Sequence, residues 1–314
     1  MKHMALDAGV VEQIVLDDDS PLPGDTADPE TALNPRRLAR DAAFRALADA
    51  HQETLFRLAL MTEARRGGDP ARIVRVAALA GLIDQPEGEC RGWGVFVHGF
   101  TLGKDSPAAS RICKQLASEG IGMLRFDALG LGQSAGDWGD GSFSHKVADT
   151  VRAVQFMNES GREVRLLVGH SFGGSAVLAA AHECPTVAAV VSVGAPCQPS
   201  HIEHIYDTLV HRVESEGEAE LTIGGKALTL RRHFVEDVRT ADLRDRIETL
   251  RRPLLVMHSP TDNTVGIDNA SHIFQTARHP RSFISLEGAD HLLTGKNQAA
   301  RAARIISAWA DPYL

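Results

Sequence analysis

The 314-residue chain predicts an α/β fold, a mainly parallel sheet with helices on both faces. Three observations carry this. Short, near-continuous apolar runs recur along the chain, as strands buried on both faces require. Helical patterns separate most of them, and such alternation implies right-handed crossovers between parallel strands. One run, 164–171, passes through a Gly-rich turn directly into a further helical segment.

The elements follow in order. Residues 1–35, rich in Asp, Pro and Thr, read as a flexible acidic tail. A long helical arm follows over 36–66. Asn34 can cap it, with Pro35 at the first helical position. Phe44, Leu47, His51, Leu55 and Leu58 share one face at steps of three and four, and Gly67, Gly68 and Pro70 end it. The arm is expected to pack on the main domain or on a second copy of the chain, forming a homodimer; a flap over a site is the alternative. The main domain is expected over 71–314. "RIVRVAALAGLI" reads as one or two leading strands. Further strands are predicted at 94–100, 122–128, 164–171, 188–196, 253–260 and 282–289. Helices are predicted at 107–119, 144–160, 172–183, 267–277 and 297–310. An insertion over about 197–250 separates two of the strands. It reads as a helix (201–218), a hairpin turning at Gly224-Gly225, and a second helix over about 232–250. A helix-hairpin-helix insertion at a strand's C-terminal edge is where a ligand-covering cap sits.

Composition narrows the function classes. Hydrophobic residues make up 43% and charged residues 24%, as in soluble globular proteins. No apolar run approaches the roughly 18 residues of a membrane span, and no secretory leader is recognisable, so a cytoplasmic location is expected. Cys90, Cys113, Cys184 and Cys197 lie far apart without a C-x-x-C pair, which points to reduced thiols. Of the net charge of −8, most belongs to residues 1–35, with eight acids and one base. The remainder is nearly neutral and lacks the basic stripe that nucleic acid binding needs.

The chemistry-bearing motif is Gly169-His170-Ser171-Phe172-Gly173, which matches G-x-S-x-G after a buried strand and before a helix. Such a turn holds its serine in a strained conformation, so its neighbours must be small; Gly169 and Gly173 supply that room. The following helix N-terminus favours developing negative charge. A serine nucleophile needs a base, and the base an orienting acid. In this context they follow in the order nucleophile, acid, histidine. Asp262, in "PLLVMHSPTDNTV", follows the next-to-last strand. His291, in "SFISLEGADHLL", follows the last. All three fall at C-terminal strand ends, where ligands bind such sheets. Asp290 adjoins His291, but sequence neighbours rarely face one another. His258 reads as a packing residue, and Asp127 as a residue fixing its loop. Two backbone N–H donors are needed for an oxyanion. Phe172 supplies one and Phe100, in "HGFT", the other, with His98 holding that loop. Thr101, Trp138 and Phe143 are candidate pocket residues.

Other signals are weaker. "GLGQSAG" lacks the dinucleotide spacing, and "GFTLGKD" is not a P-loop. His204, Asp207 and His211 fit a solvated helix face better than a metal site. No cofactor or metal is expected.

"HGFTLGKD", "RFDALGLGQSAGD", "GHSFGGSAVLAAA", "GAPCQPSHI", "HSPTDNTVGIDNA" and "GADHLLT" together resemble the α/β-hydrolase superfamily over about 72–314. They resemble more closely the hydrolase half of proteins that fuse an α/β hydrolase to an OsmC-like peroxidase domain. The resemblance implies an α/β-hydrolase fold and a serine hydrolase acting on a small-molecule ester, thioester or related acyl bond, with Ser171, Asp262 and His291 as its triad. "AWADPYL" stands where the peroxidase domain would begin, so peroxidase activity is not expected. The arm through about residue 70 has no counterpart. The same triad could serve an acyltransferase, cyclase or peptidase, and the fold could also carry a non-catalytic ligand-binding protein.

Overall fold

The computed structural model describes residues 79–295 and 297–314. The predicted acidic tail, the helical arm and most of the leading segment lie outside the described residues. In chain order the described elements are β1 (Gly81–Asp84), β2 (Gly92–Val97), α1 (Pro107–Ser118), β3 (Ile121–Phe126), α2 (Phe143–Glu159), β4 (Val164–His170), α3 (Phe172–Ala180) and β5 (Ala189–Val193). The insertion adds a 3₁₀ segment (Pro199–Ile205), α4 (Asp207–Glu216), β6 (Glu218–Ile223), β7 (Lys226–Arg231), α5 (Arg232–Thr240) and α6 (Arg244–Glu248). β8 (Leu254–His258), α7 (Asp268–Thr276), β9 (Arg281–Ser285) and α8 (Gln298–Ala310) complete the domain.

Seven strands form one sheet in the order β1-β3-β2-β4-β5-β8-β9. β1 runs antiparallel to β3 and every other pairing is parallel. The apolar runs are nearly continuous because alternate residues enter two different cores. Val95, Val97, Leu167, Val190, Leu254 and Val256 pack with α2, α3 and the insertion. Phe96, Leu166, Val168, Val191, Leu255 and Met257 pack with α1 and α8 on the opposite face. All nine residues of α3 are buried, so its sequence carries no polar stripe.

Most predicted strands extend beyond the observed ones at their C-terminal ends. The predicted 94–100 ends at Val97 and the predicted 188–196 ends at Val193. Beyond these points the chain leaves the ladder: Gly194 takes φ 57, and His98 turns its ring to neighbouring backbone. These ends are the loops that carry the site.

The insertion differs from its predicted form in two places. The helix expected over 201–218 breaks at Tyr206 (φ −131, ψ 21), which turns its ring into the core with 1% exposure. The helix expected over about 232–250 breaks at Ala241, whose backbone is extended. Asp242 then accepts from the Arg244 N–H and the Gln198 amide, a local acceptor that competes with helix continuation. The hairpin turns where expected, with Gly224 and Gly225 both at positive φ (55 and 77), as a two-residue I′ turn demands. Arg231 ties the hairpin to the 137–140 loop through Asp137 and Asp140.

Asp127, just past β3, is 1% exposed and joins two site loops. It accepts from Lys104 Nζ at 2.6 Å and from the backbone N–H groups of Lys104 and Gln133 at 2.7 and 3.0 Å. Breaking a buried ion pair by removing one partner leaves an uncompensated charge, at about 3–5 kcal/mol. Asp127→Ala is therefore expected to lower unfolding free energy by about that much in urea denaturation, whereas a loss well under 1 kcal/mol would contradict the burial of the pair.

Candidate functional site

The site is organised by the turn between β4 and α3. Ser171 adopts φ 55, ψ −127, a conformation costing on the order of 1–3 kcal/mol for a non-glycine residue. It is held there by its N–H donating to Val193 O and its carbonyl accepting from Gly174 N–H, both at 2.8 Å. The flanking glycines are dictated by close approach. A Cβ on Gly169 would lie 2.3 Å from Gly173 O, and one on Gly173 would lie 2.1 Å from Val97 O.

The structure brings Ser171, His291 and Asp262 into one hydrogen-bonded row, from three different strand ends. Ser171 Oγ lies 2.9 Å from His291 Nε2, and His291 Nδ1 lies 2.7 Å from Asp262 Oδ2. Asp262 Oδ1 accepts from the N–H groups of Thr264 and Val265 at 2.9 Å. Burial alone would raise the Asp262 pKa. The His291 hydrogen bond and the two N–H groups outweigh it and hold the carboxyl below its ordinary range. An ionised Asp262 makes Nδ1 the donor, which leaves Nε2 to accept from the Ser171 hydroxyl. This is the arrangement in which a hydroxyl proton can pass to the ring as its oxygen attacks. Asp290 turns elsewhere: its carboxylate accepts from the N–H groups of Thr294 and Gly295.

Two histidines hold this row in place. His170 is buried, and its Nε2–H donates to the His291 carbonyl at 2.7 Å. It anchors the loop that carries His291, a role that sequence reading missed although the residue sits inside the motif. His258 is more than a packing residue. Its Nε2–H donates to Val265 O at 2.8 Å and so braces the Asp262 loop. Burial lowers the pKa of both rings, that of His170 to about 4.

On the other side of Ser171 lies the 98–101 loop. A Cβ on Gly99 would sit 3.2 Å from Ser171 Cβ, so backbone abuts the serine here. Thr101, like Ser171, holds a left-handed φ (53), and the two strained residues lie on loops that meet at this point. His98 accepts from Ala128 N–H at Nε2 and donates from Nδ1 to Gly99 O. Burial, then Lys146, keep its pKa well below the ordinary value, so the ring is neutral. The Phe172 N–H opens α3, where helix geometry provides no intrahelical acceptor.

A cavity borders these loops. Phe100, Thr101, Leu129, Trp138, Phe172 and Phe234 line it, together with the polar group of Ser142, His145, Lys146 and Asp149. Phe100 contacts Trp138, Phe172 and Phe234 at ring-centroid distances of 5.6–5.7 Å. Of the candidate pocket residues, Thr101 and Trp138 line this cavity. Phe143 does not; it packs against Phe172 at 5.3 Å and supports the wall from outside. Phe234, from α5 of the insertion, was not legible, because a lone aromatic in an amphipathic helix looks like any core position. No helix among the described residues is long and apolar enough to cross a membrane.

The family model described as serine aminopeptidase, S33, matches residues 88–228. The esterase domain of a Rhodothermus marinus protein is 38% identical, with a TM-score of 0.59 over 75% of this chain and 98% of that one. Est1E from Butyrivibrio proteoclasticus, solved with ferulic acid bound, is 17% identical with a TM-score of 0.62, over 76% and 96% of the two chains. Mouse alpha/beta hydrolase domain-containing protein 10 is 19% identical with a TM-score of 0.62, over 75% and 95%. The last two likenesses are of fold alone. No curated protein matches the chain.

The low pKa of His170 makes stability depend on pH. Unfolded, the ring titrates near its ordinary 6.5; folded, near about 4. Between these values the unfolded state binds a proton that the folded state does not, so stability falls as pH falls through that window. The urea midpoint is expected to drop between pH 7 and 4, and to drop less steeply in His170→Gln, which keeps a donor for the His291 carbonyl. Parallel curves for the two proteins would refute this assignment.

Proposed function

The chain belongs to the α/β-hydrolase family, and from that premise we propose that it is a serine esterase-type hydrolase. Its substrate is a small carboxylic ester, thioester or related acyl compound. The observation that carries this reading is the row from Ser171 Oγ through the His291 ring to Asp262 Oδ2. The 38% identical relative, an esterase domain, supports the ester bond as target.

In this mechanism His291 takes the hydroxyl proton as Ser171 Oγ attacks the carbonyl carbon, and Asp262 stabilises the resulting imidazolium. The N–H groups of Phe172 and Phe100 hold the oxyanion, each such donor contributing about 2.7–4 kcal/mol. His291 passes its proton to the leaving oxygen or sulfur, and the acyl group stays on Ser171. His291 then deprotonates a water, which attacks the acyl-enzyme and releases the acid. The proton returns to Ser171 Oγ. A peptidase reading shares every step and is favoured by the description of the matching family model; it differs in the amine that leaves.

Wild type and Ser171→Ala compared on p-nitrophenyl esters from acetate to dodecanoate, and on alanine p-nitroanilide, test both readings. Wild type is expected to turn over at least one ester, with kcat lower by about 10⁴-fold or more in the variant. Turnover confined to the anilide would favour the peptidase. No turnover, together with no labelling of Ser171 by a fluorophosphonate, would overturn the serine-hydrolase reading.

A further inference from the structure

The sheet ends at β9, whose outer edge has no strand partner among the described residues. All five residues of β8 are buried, whereas none of β9 is. Phe283, at the centre of β9, is 40% exposed. Where the two strands pair, Leu254 N–H donates to Pro280 O and Leu286 N–H donates to His258 O. A parallel ladder engages alternate residues of a strand, so the even-numbered residues of β9 bond to β8. Arg281, Phe283 and Ser285 therefore turn their N–H and C=O groups outward.

An open edge of this kind is ordinarily blunted by a charge, a bulge or a proline. β9 has none of these on its outer side. Its pairing with β8 is unbroken over Arg281–Ser285. Its one charged residue is turned away: the Arg281 guanidinium lies 4.6 Å over the Phe274 ring and donates to the carbonyls of Phe274, Gln275 and Ala277. Phe274 meets Phe283 edge-on, with 6.4 Å between ring centroids, so an apolar pair flanks the open ladder.

The ends of the strand indicate what covers it. Arg278 lies just before β9 and Glu287 just after, both exposed. Laid antiparallel on the same strand of a second copy, about a two-fold axis at Phe283, residue 279 falls opposite 287 and residue 281 opposite 285. Arg278 of each copy then comes beside Glu287 of the other, and the axis makes this contact twice. Their partners within the chain, Glu248 and Arg301, form exposed pairs of the kind that bind weakly. A parallel arrangement would set like charges together at both ends. The antiparallel contact is also self-complementary, so two copies complete it.

We propose that β9 is a homodimer interface, through which two copies of this chain join their sheets edge to edge in antiparallel register centred on Phe283. The two Phe283 side chains meet on one face of the joined sheet, beside Phe274 of each copy. The proposal does not depend on which bond the site cleaves.

Sedimentation of the full chain and a cysteine cross-link test it. Wild type is expected to sediment as a dimer at micromolar concentration. Phe283→Lys sets two ammonium groups against each other at the axis. It is expected to weaken association tenfold or more, with the far-UV circular dichroism spectrum and urea midpoint of wild type. The cross-link is read in a Cys90→Ser background, which removes the exposed native thiol. Residues opposed in a hydrogen-bonded antiparallel pair have Cα atoms about 5.5 Å apart, within disulfide reach. Phe283→Cys is therefore expected to form an interchain disulfide on mild oxidation. Ser285→Cys is expected not to, because its counterpart in the second copy lies about 13 Å along the strand. A monomeric wild type overturns the proposal. So does a dimer that Phe283→Lys leaves intact, which would place the interface elsewhere, and so does linking at 285 as efficient as at 283.

Discussion

The contact on which the site depends is the approach of the α3 backbone to β2. Gly173 lies so near Val97 O that no side chain fits between them. That approach forces the sharp turn at Ser171, lifts the residue off the end of β4 and sets the helix N-terminus beneath the 98–101 loop. Gly169 answers the same demand from the strand side. The strain at Ser171 persists because its N–H and carbonyl are both engaged, by Val193 and Gly174. Rigid neighbours thus sustain an unfavourable backbone conformation, and the hydroxyl is presented to the His291 ring as a result.

Around this turn the polar groups form a supported frame. His170 grips the His291 carbonyl and His258 grips the Val265 carbonyl. The two partners of Ser171 are therefore tied to the sheet by neutral imidazoles rather than left on free loops. Burial keeps these rings uncharged, which avoids placing further positive charge beside the proposed general base. On the opposite side Asp127 and Lys104 join the loops after β2 and β3. That side of the frame is held by buried ion pairs, Lys104 with Asp127 and Arg125 with Asp84.

The insertion contributes to the site through Phe234, and Tyr206 packs against that ring at 6.2 Å between centroids. The helix break at Tyr206 turns its ring inward, and Phe234, in the first turn of α5, faces Phe100 and Trp138. The aromatic lining thus draws on four separate segments, of which only α5 belongs to the insertion.

Much of this was legible from local patterns. Apolar runs at strand length located every strand of the sheet after β1, because burial on both faces favours apolar residues at the centres of the inner strands. The spacing around Ser171 was legible because a turn this tight admits only glycine at Gly169 and Gly173. Asp262 and His291 could be nominated because each follows a strand at the same end of a parallel sheet. What the sequence could not express was direction. Asp290 and His291 are adjacent, yet one faces the serine and the other caps the next turn. His170 and His258 resemble ordinary core histidines until their ring nitrogens are seen to meet the carbonyls of His291 and Val265. Phe143 and Trp138 stand five residues apart, yet only Trp138 reaches the cavity. Local sequence determines where a chain turns and what is buried; which atoms then face each other is decided by packing between segments far apart in the chain.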